Sequence, residues 1–387
     1  MEGNTFINNL KFRAGYGVTG NQDIGNYNSL VTLGTSGSYL FPDGIYRQTY
    51  GPSRNPNPDL KWEEKHEMNV GLDFSVLNDR LGGTIDVFQR RIVDLIGNYQ
   101  TQQPPYILDN INANVGTLVG RGIELTLNAQ AMKAQDFTWN IDLVGSTASS
   151  RLESFSNDVF KAQERTFGGI PGPGALGDAI LTREGGKIGE FVGKRFAGFD
   201  DKGNWLFYTR DGAKVPANQI NRSVDPNVTD LAVIGNAVPK YFASLTNDFR
   251  YKNLGLRVFL RGRFGYNILN AQALQYGNTV GGTNILNSAF DRYAELVNQS
   301  YQYSDYYIEK GDHLKLDEVT LSYNFKLNTA YIRNLRVYAT GANLATFTSY
   351  TGTDPDYISV TGLGPGIQGL DIYPNTRSFL IGLSVGF

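Results

Sequence analysis

Residues 254–264, LGLRVFLRGRF, give the clearest indication of the fold class of this chain. Apolar side chains at the even positions alternate with other residue types at the odd positions: Leu254, Leu256, Val258 and Leu260 against Gly255, Arg257, Phe259 and Arg261. Successive side chains of a β-strand point to opposite faces, so this period of two predicts a strand with one apolar face. The same alternation occurs at 10–19, 69–76, 123–130, 139–143 and 318–325. Helical periodicity appears nowhere over a comparable length, and the chain is therefore predicted to be all-β.

The connections between the predicted strands favour a transmembrane barrel over a soluble sandwich. Ten strands are predicted near 8–19, 65–77, 83–97, 118–131, 136–150, 239–251, 254–266, 312–325, 333–346 and 376–387. The intervening segments alternate strictly between long and short, as in outer-membrane barrels, where short turns are periplasmic and long loops extracellular. A sandwich has no reason to obey this parity. We therefore predict an antiparallel transmembrane β-barrel with long extracellular loops near 20–64, 98–117, 151–238, 267–311 and 347–375.

Composition excludes several other classes of protein. The 387 residues include 45 Gly, no Cys and two His, and the formal net charge is −2. A disulfide scaffold, a thiolate metal site and a nucleic-acid-binding basic face are therefore not expected. No apolar run approaches the length of a transmembrane helix, but barrel strands alternate and look hydrophilic on average. Residues 1–17 do not resemble a signal peptide, so we expect either a cytoplasmic protein or a missing beginning.

The C-terminal residues form the most specific single pattern. Apolar residues occupy every second position to the last residue: Phe379, Ile381, Leu383, Val385 and Phe387. A last strand ending on Phe resembles the signal by which bacterial outer-membrane proteins are recognised for barrel assembly.

Several longer stretches together resemble the C-terminal part of a SusC/RagA-type TonB-linked outer-membrane transporter of Bacteroidetes. They lie at 10–22, 55–96, 115–128, 239–265, 311–325, 335–356 and 373–387. The resemblance implies a 22-stranded barrel with a plug, of which about ten C-terminal strands are present here. It further implies TonB-energised import of oligosaccharides or peptides across the outer membrane, together with a SusD-like surface lipoprotein. It implies neither enzymatic activity nor a cofactor.

Two alternatives to this interpretation stay open at this stage. One is a secreted or surface-bound all-β module that binds glycans or peptides and is not embedded in a membrane. The other is a receptor for small chelates with the same fold and a different ligand. An arginine at an outward position such as Leu256 or Leu321 should cost about 2–4 kcal/mol near the bilayer midplane, which separates a barrel from a soluble module.

Candidate binding residues lie on one predicted inner face and in one loop. Arg257, Arg261 and Arg263 share the parity opposite the apolar residues of their strand, so they are predicted to face the lumen. They are expected to contact the plug or an anionic substrate group. A loop carries four tyrosines whose rings could stack on sugars or peptides, or pack against neighbouring loops or a partner: Tyr301, Tyr303, Tyr306 and Tyr307.

Motifs for chemistry are weak. Residues 172–177 match G-x-G-x-x-G, but no helical pattern follows, so we interpret them as a loop. Glu64 and His66 share a strand face, which we interpret as a charged strand entrance, and His313 is interpreted as a polar lip residue. Residues 191–212 are predicted to form a hairpin with a plain turn at 200–204. No catalytic arrangement and no metal site are predicted.

Overall fold

The computed structural model describes residues 6–157, 159–162, 164–172, 176–280, 284–296, 300–327 and 331–386. The regular secondary structure of these residues is almost entirely β-strand, with one short α-helix, α1 (Ala271–Tyr276), and four single-turn 3₁₀ helices at Ala217–Gln219, Asn287–Phe290, Ala294–Leu296 and Asp305–Tyr307. The described residues contain no helix that is both long and apolar enough to cross a membrane.

The strands, in chain order, are β1 (Ile7–Asn21), β2 (Leu33–Leu40), β3 (Tyr46–Pro52), β4 (Glu63–Val76), β5 (Leu81–Gln100), β6 (Asn110–Lys133), β7 (Phe137–Ser154), β8 (Glu164–Gly169), β9 (Asp178–Arg183), β10 (Glu190–Gly193), β11 (Arg195–Phe199), β12 (Trp205–Tyr208), β13 (Lys214–Pro216), β14 (Ala232–Asn236), β15 (Tyr241–Tyr251), β16 (Leu254–Phe264), β17 (Asn267–Leu269), β18 (Ile308–Lys310), β19 (His313–Lys326), β20 (Asn334–Thr348) and β21 (Ser378–Gly386).

Ten of these strands form one antiparallel sheet, which we call the wall. Its order is β1-β4-β5-β6-β7-β15-β16-β19-β20-β21, so each strand pairs with the next wall strand along the chain. These are the ten strands predicted from the alternation. Within the described residues the wall is open, since β1 and β21 at its two ends are not paired with each other. It is thus part of a barrel rather than a closed one.

The two faces of the wall differ as the period of two requires. Apolar side chains cover the outer face and remain exposed, for example Phe12, Leu321, Phe379 and Ile381, the last two at 78% and 79%. Polar and charged side chains cover the inner face. Aromatic residues lie at both ends of the outer face: Tyr16 and Phe347 at one end and Tyr251 and Phe325 at the other. An apolar band between aromatic girdles is the surface that a bilayer covers.

One end of the wall carries the short turns. Leu77, Asn78 and Asp79 adopt the left-handed conformation in succession between β4 and β5, and Lys252 does so between β15 and β16. Asn and Asp tolerate this conformation because their short side chains bond locally. The predicted turns near 78–80, 132–135 and 252–253 therefore lie within one or two residues of the observed ones.

The other end of the wall carries the long connections, most of which contain regular secondary structure. The connection predicted at 98–117 is short, because β5 continues to Gln100 and β6 begins at Asn110. The segments around 155–240, 265–312 and 349–377 build three small sheets, α1 and a common apolar core, which we call the loop layer, and β2 and β3 pair in a separate hairpin. Its core buries large side chains, including Phe191, Trp205, Phe207, Leu274 and Tyr307.

Candidate functional site

A cluster of charged side chains lies on the inner face where β16 and β19 meet the loop layer. Arg261 and Arg263 on β16 are paired in register with Lys315 and His313 on β19, so all four side chains share the inner face. The register shifts between Phe259 and Leu260. Asp317, which follows Lys315 on β19, accepts a hydrogen bond from Arg261 Nε at 2.6 Å. Two adjacent strands thus concentrate positive charge at one place.

The segment 354–356 enters this cluster from the loop between β20 and β21. Asp356 accepts two hydrogen bonds of 2.7 Å from the guanidinium of Arg261 and one of 3.1 Å from Lys315 Nζ. Asp354 lies 3.8 Å from the same Nζ. Burial alone would raise the pKa of Asp356, but the contacts with His313, Arg261 and Lys315 outweigh it and hold this pKa well below its usual range.

His313 has a different environment from the predicted polar lip. Its side chain is buried, with a relative exposure of 1% for the residue. Nδ1 donates to the carbonyl of Gly311 at 3.0 Å, and Nε2 lies 3.6 Å from Asp356 Oδ1. The lip interpretation is wrong because the 354–356 segment folds over the start of β19 and removes the ring from solvent.

Next to this cluster, a polar network surrounds a cavity of about 230 Å³. Asn270 caps the start of α1 and donates to Glu309 at 2.9 Å, and Thr351 donates to the same carboxylate at 2.7 Å. The guanidinium of Arg292 lies over the ring of Tyr293 at 5.5 Å and borders the cavity. Amides, hydroxyls, a cation and an aromatic ring therefore line one concave site, and polar groups placed in this way can orient a polar ligand.

The inner face has a second ion cluster between β1, β4 and β5. Arg13 Nη2 donates to Asp73 at 2.8 Å and to Asp86 at 3.1 Å. Arg257, by contrast, is an exposed inner-face cation for which the described residues provide no hydrogen bond or ion pair. Of the three predicted lumen arginines, Arg261 and Arg263 are thus bound to the chain's own Asp356, and Arg257 is available. Contact with a plug or an anionic substrate stays a prediction for all three.

The four predicted loop tyrosines lie in or against the core of the loop layer. Tyr307 is 1% exposed, and its hydroxyl has no hydrogen-bond partner in the described structure. Tyr303 donates to the carbonyl of Ala179 at 3.0 Å, Tyr306 donates to Glu295 at 2.7 Å, and Tyr301 packs against the core. Burial raises the pKa of the hydroxyls of Tyr303 and Tyr307. The structure therefore shows packing, and ligand or partner contact by these rings stays a prediction.

The remaining motifs have structural environments. The segment 195–208 forms a hairpin as predicted, and Asp200 accepts hydrogen bonds from the amides of Lys202 and Asn204 at its turn. The G-x-G-x-x-G match connects β8 to β9 instead of a strand to a helix, and its residues 173–175 lie outside the described residues. His66 shares its face with Glu64 at 3.4 Å and contacts Tyr16 OH at 2.8 Å. In the described part of the chain, no three metal-ligating side chains cluster.

The C-terminal pattern is realised as β21. The outer-face residues Phe379, Ile381, Leu383 and Val385 are exposed, and they pair in register with the outer face of β20. Phe387 lies outside the described residues. Their role as an assembly signal stays a prediction.

The residues that sequence reasoning missed are Asp354, Asp356, Lys315 and the cavity around Asn270. Lys315 had a usable signal, because it shares the inward parity of β19 with His313. Asp354 and Asp356 had only a weak one, as acidic residues flanking a proline in an irregular loop.

The fold and the two faces of the wall define a class, the transmembrane β-barrels, with a polar inner surface under a folded loop layer. Comparison with known proteins agrees. Residues 4–344 match the family described as TonB dependent receptor-like, beta-barrel, and the chain belongs to this family. That membership confirms the outer-membrane location and the absence of an enzymatic role in the family. It also leaves the alternative of a module outside the membrane without support.

Individual relatives give the same result. The chain is 27% identical to TonB-dependent receptor P3 of Formosa agariphila, over 98% of this chain and 40% of that protein. It is 27% identical to TonB-dependent receptor SusC of Bacteroides thetaiotaomicron, over 98% of this chain and 38% of that protein. The solved RagAB peptide importer superposes with a TM-score of 0.80 at 21% identity, over 99% of this chain and 41% of the importer chain. The chain spans about two fifths of the length of these relatives.

Proposed function

We propose that this chain supplies wall strands and the loop layer of an outer-membrane importer that takes up oligosaccharides or peptides. By analogy with the SusC and RagAB relatives, a SusD-like surface lipoprotein is the partner at the loop end, and TonB provides the energy. The family membership supports the transport role. The substrate class and the partner rest on the polar cavity and on the names of the relatives.

The observation that carries the proposal is the asymmetry of the wall. An apolar outer face suits lipid, whereas the inner face presents Arg13, Arg257 and Arg261 to an aqueous interior. The loop layer stands at one end of that interior, and the cavity bordered by Arg292 and Tyr293 offers groups that recognise hydroxyls, amides and carboxylates. Such an arrangement suits capture of a polar solute before passage.

Growth and uptake assays test this proposal. A strain that lacks the gene, and the same strain with the gene restored, are grown on oligosaccharides or on peptides as sole carbon source, with and without functional TonB. We expect the deletion to abolish growth on one of the two classes, and restoration to require TonB. Equal growth of deletion and restored strains on every tested oligosaccharide and peptide would overturn the substrate assignment.

The partner is tested separately by purification from outer membranes under mild detergent. We expect a surface lipoprotein to be recovered in a one-to-one ratio with the importer. A control with Arg292→Gln separates capture from assembly: this variant should retain the lipoprotein and lose affinity for the substrate. Recovery of the importer without any lipoprotein would contradict the proposed pairing.

A further inference from the structure

An unneutralised group of cations lies on the outer face of the wall, near its loop end. We call it the outer cationic patch, and it consists of Arg121, Arg151 and Lys187. Arg121 on β6 faces Ser149 on β7, and Arg151 is the next outward residue along β7, a diagonal neighbour of Arg121. An isolated bridge pairs Arg151 with Lys187, so these two side chains also share one face. That face is the one that carries Ile123, which is exposed.

No carboxylate of the described residues forms an ion pair with the patch. Among the described residues, none of its three side chains makes a hydrogen bond or an ion pair, and all three are exposed. The nearby acid on β7, Glu153, is engaged at 2.9 Å by Arg91. The charge of Glu190 acts on Lys187 without forming an ion pair with it. Like charges directly opposite each other on paired strands are destabilising, so a bound anion would relieve this arrangement.

An apolar groove begins at the patch. It has a volume of about 500 Å³ and runs along the outer faces of β4 to β7. Met68, Val70, Val87 and Ile123 line it, and Arg121 stands at its edge. Because side chains alternate along each strand, these residues face the same side as the patch and the opposite side from the Asp356 cluster.

We propose that the outer cationic patch and the groove bind a phosphate-bearing lipid of the outer membrane. The phosphate is held by Arg121, Arg151 and Lys187, and an acyl chain lies in the groove. Guanidinium groups bind phosphate oxygens in a bidentate manner. A phosphate without an acyl chain would not fill the apolar groove, so a lipid fits the site better than a free phosphate ion. The position fits, since the cations lie toward the loop end of a wall whose outer face meets lipid. This site is independent of the proposed transport function.

Lipid binding by the detergent-purified protein tests the proposal. The probes are monophosphoryl lipid A, the same lipid after removal of its phosphate, and inorganic phosphate, with binding measured by native mass spectrometry. We expect the phosphorylated lipid to bind most tightly. Each cation removed should weaken its binding roughly tenfold, so the triple variant R121Q/R151Q/K187Q should lose more than a hundredfold.

A matched control removes three exposed cations elsewhere. The variant K133Q/K161Q/K202Q should bind the lipid as the parent does. Equal binding of the phosphorylated and dephosphorylated lipids to the unaltered protein would overturn the proposal without requiring any variant to fold. So would full displacement of the lipid by millimolar inorganic phosphate, which would indicate a simple anion site, and so would unchanged binding to the triple variant.

Discussion

At the scale of single residues, the stability of the protein depends on the pairing of its buried charges. Asp356 is surrounded by Arg261, Arg263 and Lys315, and Lys315 is almost completely buried. A buried ion pair adds little over an apolar replacement, but removal of one partner leaves the others uncompensated. The 354–356 segment therefore links the loop layer to the wall through ion pairs.

The substitution Asp356→Asn should destabilise the protein by about 2–4 kcal/mol, a value reduced from the fully buried case because Arg261 is partly exposed. The physical reason is that three cations lose a shared carboxylate. Thermal unfolding in detergent measures the effect. Asp371→Asn, at an exposed position in the same loop, is the control and should leave the stability unchanged. Equal effects at both sites would contradict the proposed link between the loop layer and the wall.

Lys194 is a buried cation for which the described part of the chain provides no carboxylate partner. Its Nζ lies 4.5 Å from the centre of the Phe207 ring and donates to Gln302. Burial, followed by the charge of Arg222, lowers the pKa of Lys194 to about 8. An unfolded lysine with an ordinary pKa near 10.4 binds more protons than the folded one between these values. Stability should therefore rise with pH across this window, by up to about 1.4 kcal/mol per unit for this residue.

The test compares the parent with Lys194→Met by thermal unfolding between pH 7 and pH 10. We expect the variant to gain stability relative to the parent at pH 7, and the difference to shrink as the pH rises through 8. Lys202→Met, at an exposed turn, should show no such trend. A difference between Lys194→Met and the parent that does not change with pH would refute the assignment.

At the scale of elements, each wall strand has one face for lipid and one for water. Val319 on β19 pairs with Val258 on β16 within the outer band, whereas Glu318 on the same strand faces inward. A residue's exposure alone does not reveal this difference, since both faces of the wall contain half-exposed side chains. The strand register reveals it, because each outward-facing residue pairs with an outward-facing residue of the neighbouring strand.

Val319→Arg should therefore cost about 2–4 kcal/mol if the residue lies near the bilayer midplane. Ala342→Arg, on the inner face of β20 opposite Glu318, is the matched control and should cost much less. Refolding titrations into lipid vesicles measure both variants. Equal costs would show that the two faces are not lipid and water as described.

At the scale of the whole molecule, the wall and the loop layer are two differently stabilised parts. Hydrogen-bonded neighbours hold the wall strands, whereas an aromatic core holds the loop layer. The indole of Trp205 stacks on Phe207 at 5.9 Å, meets Tyr306 edge-on at 5.2 Å, and donates to the carbonyl of Ser300 at 2.9 Å. Loss of this ring should open the loop layer without opening the wall.

Trp205→Ala should destabilise the loop layer by about 3–5 kcal/mol, because it leaves a cavity in a closely packed core. Limited proteolysis should then cut within 155–240 while the wall remains resistant. Trp62→Ala is the control, since that ring is exposed. Simultaneous cleavage of the wall in Trp205→Ala would contradict the independence of the two parts.

The wall could be predicted from the sequence alone. Alternation is a local property of each strand, and tight turns of Asn, Asp and Lys-Asn force sequential neighbours to pair, so ten strands and their lipid-facing sides were predictable. The family resemblance rested on the same strands. The extension of β5 to Gln100 and the start of β6 at Asn110 were not predicted, because these paired ends bury Tyr99 and Ile111 against the distant Phe160, a contact that the local pattern does not reveal.

The positions of the loops, by contrast, depend on contacts between residues that are far apart in the chain. Asp356 meets Arg261 across 95 positions of the chain, His313 is buried by a segment that begins more than 40 residues later, and the ring of Tyr307 packs against Trp205. The position of each loop depends on packing between many side chains that are distant in the sequence. No local sequence pattern contains that information. The barrel wall is therefore predictable from the alternation of residues along its strands, whereas the candidate site depends on the packing of the loop layer.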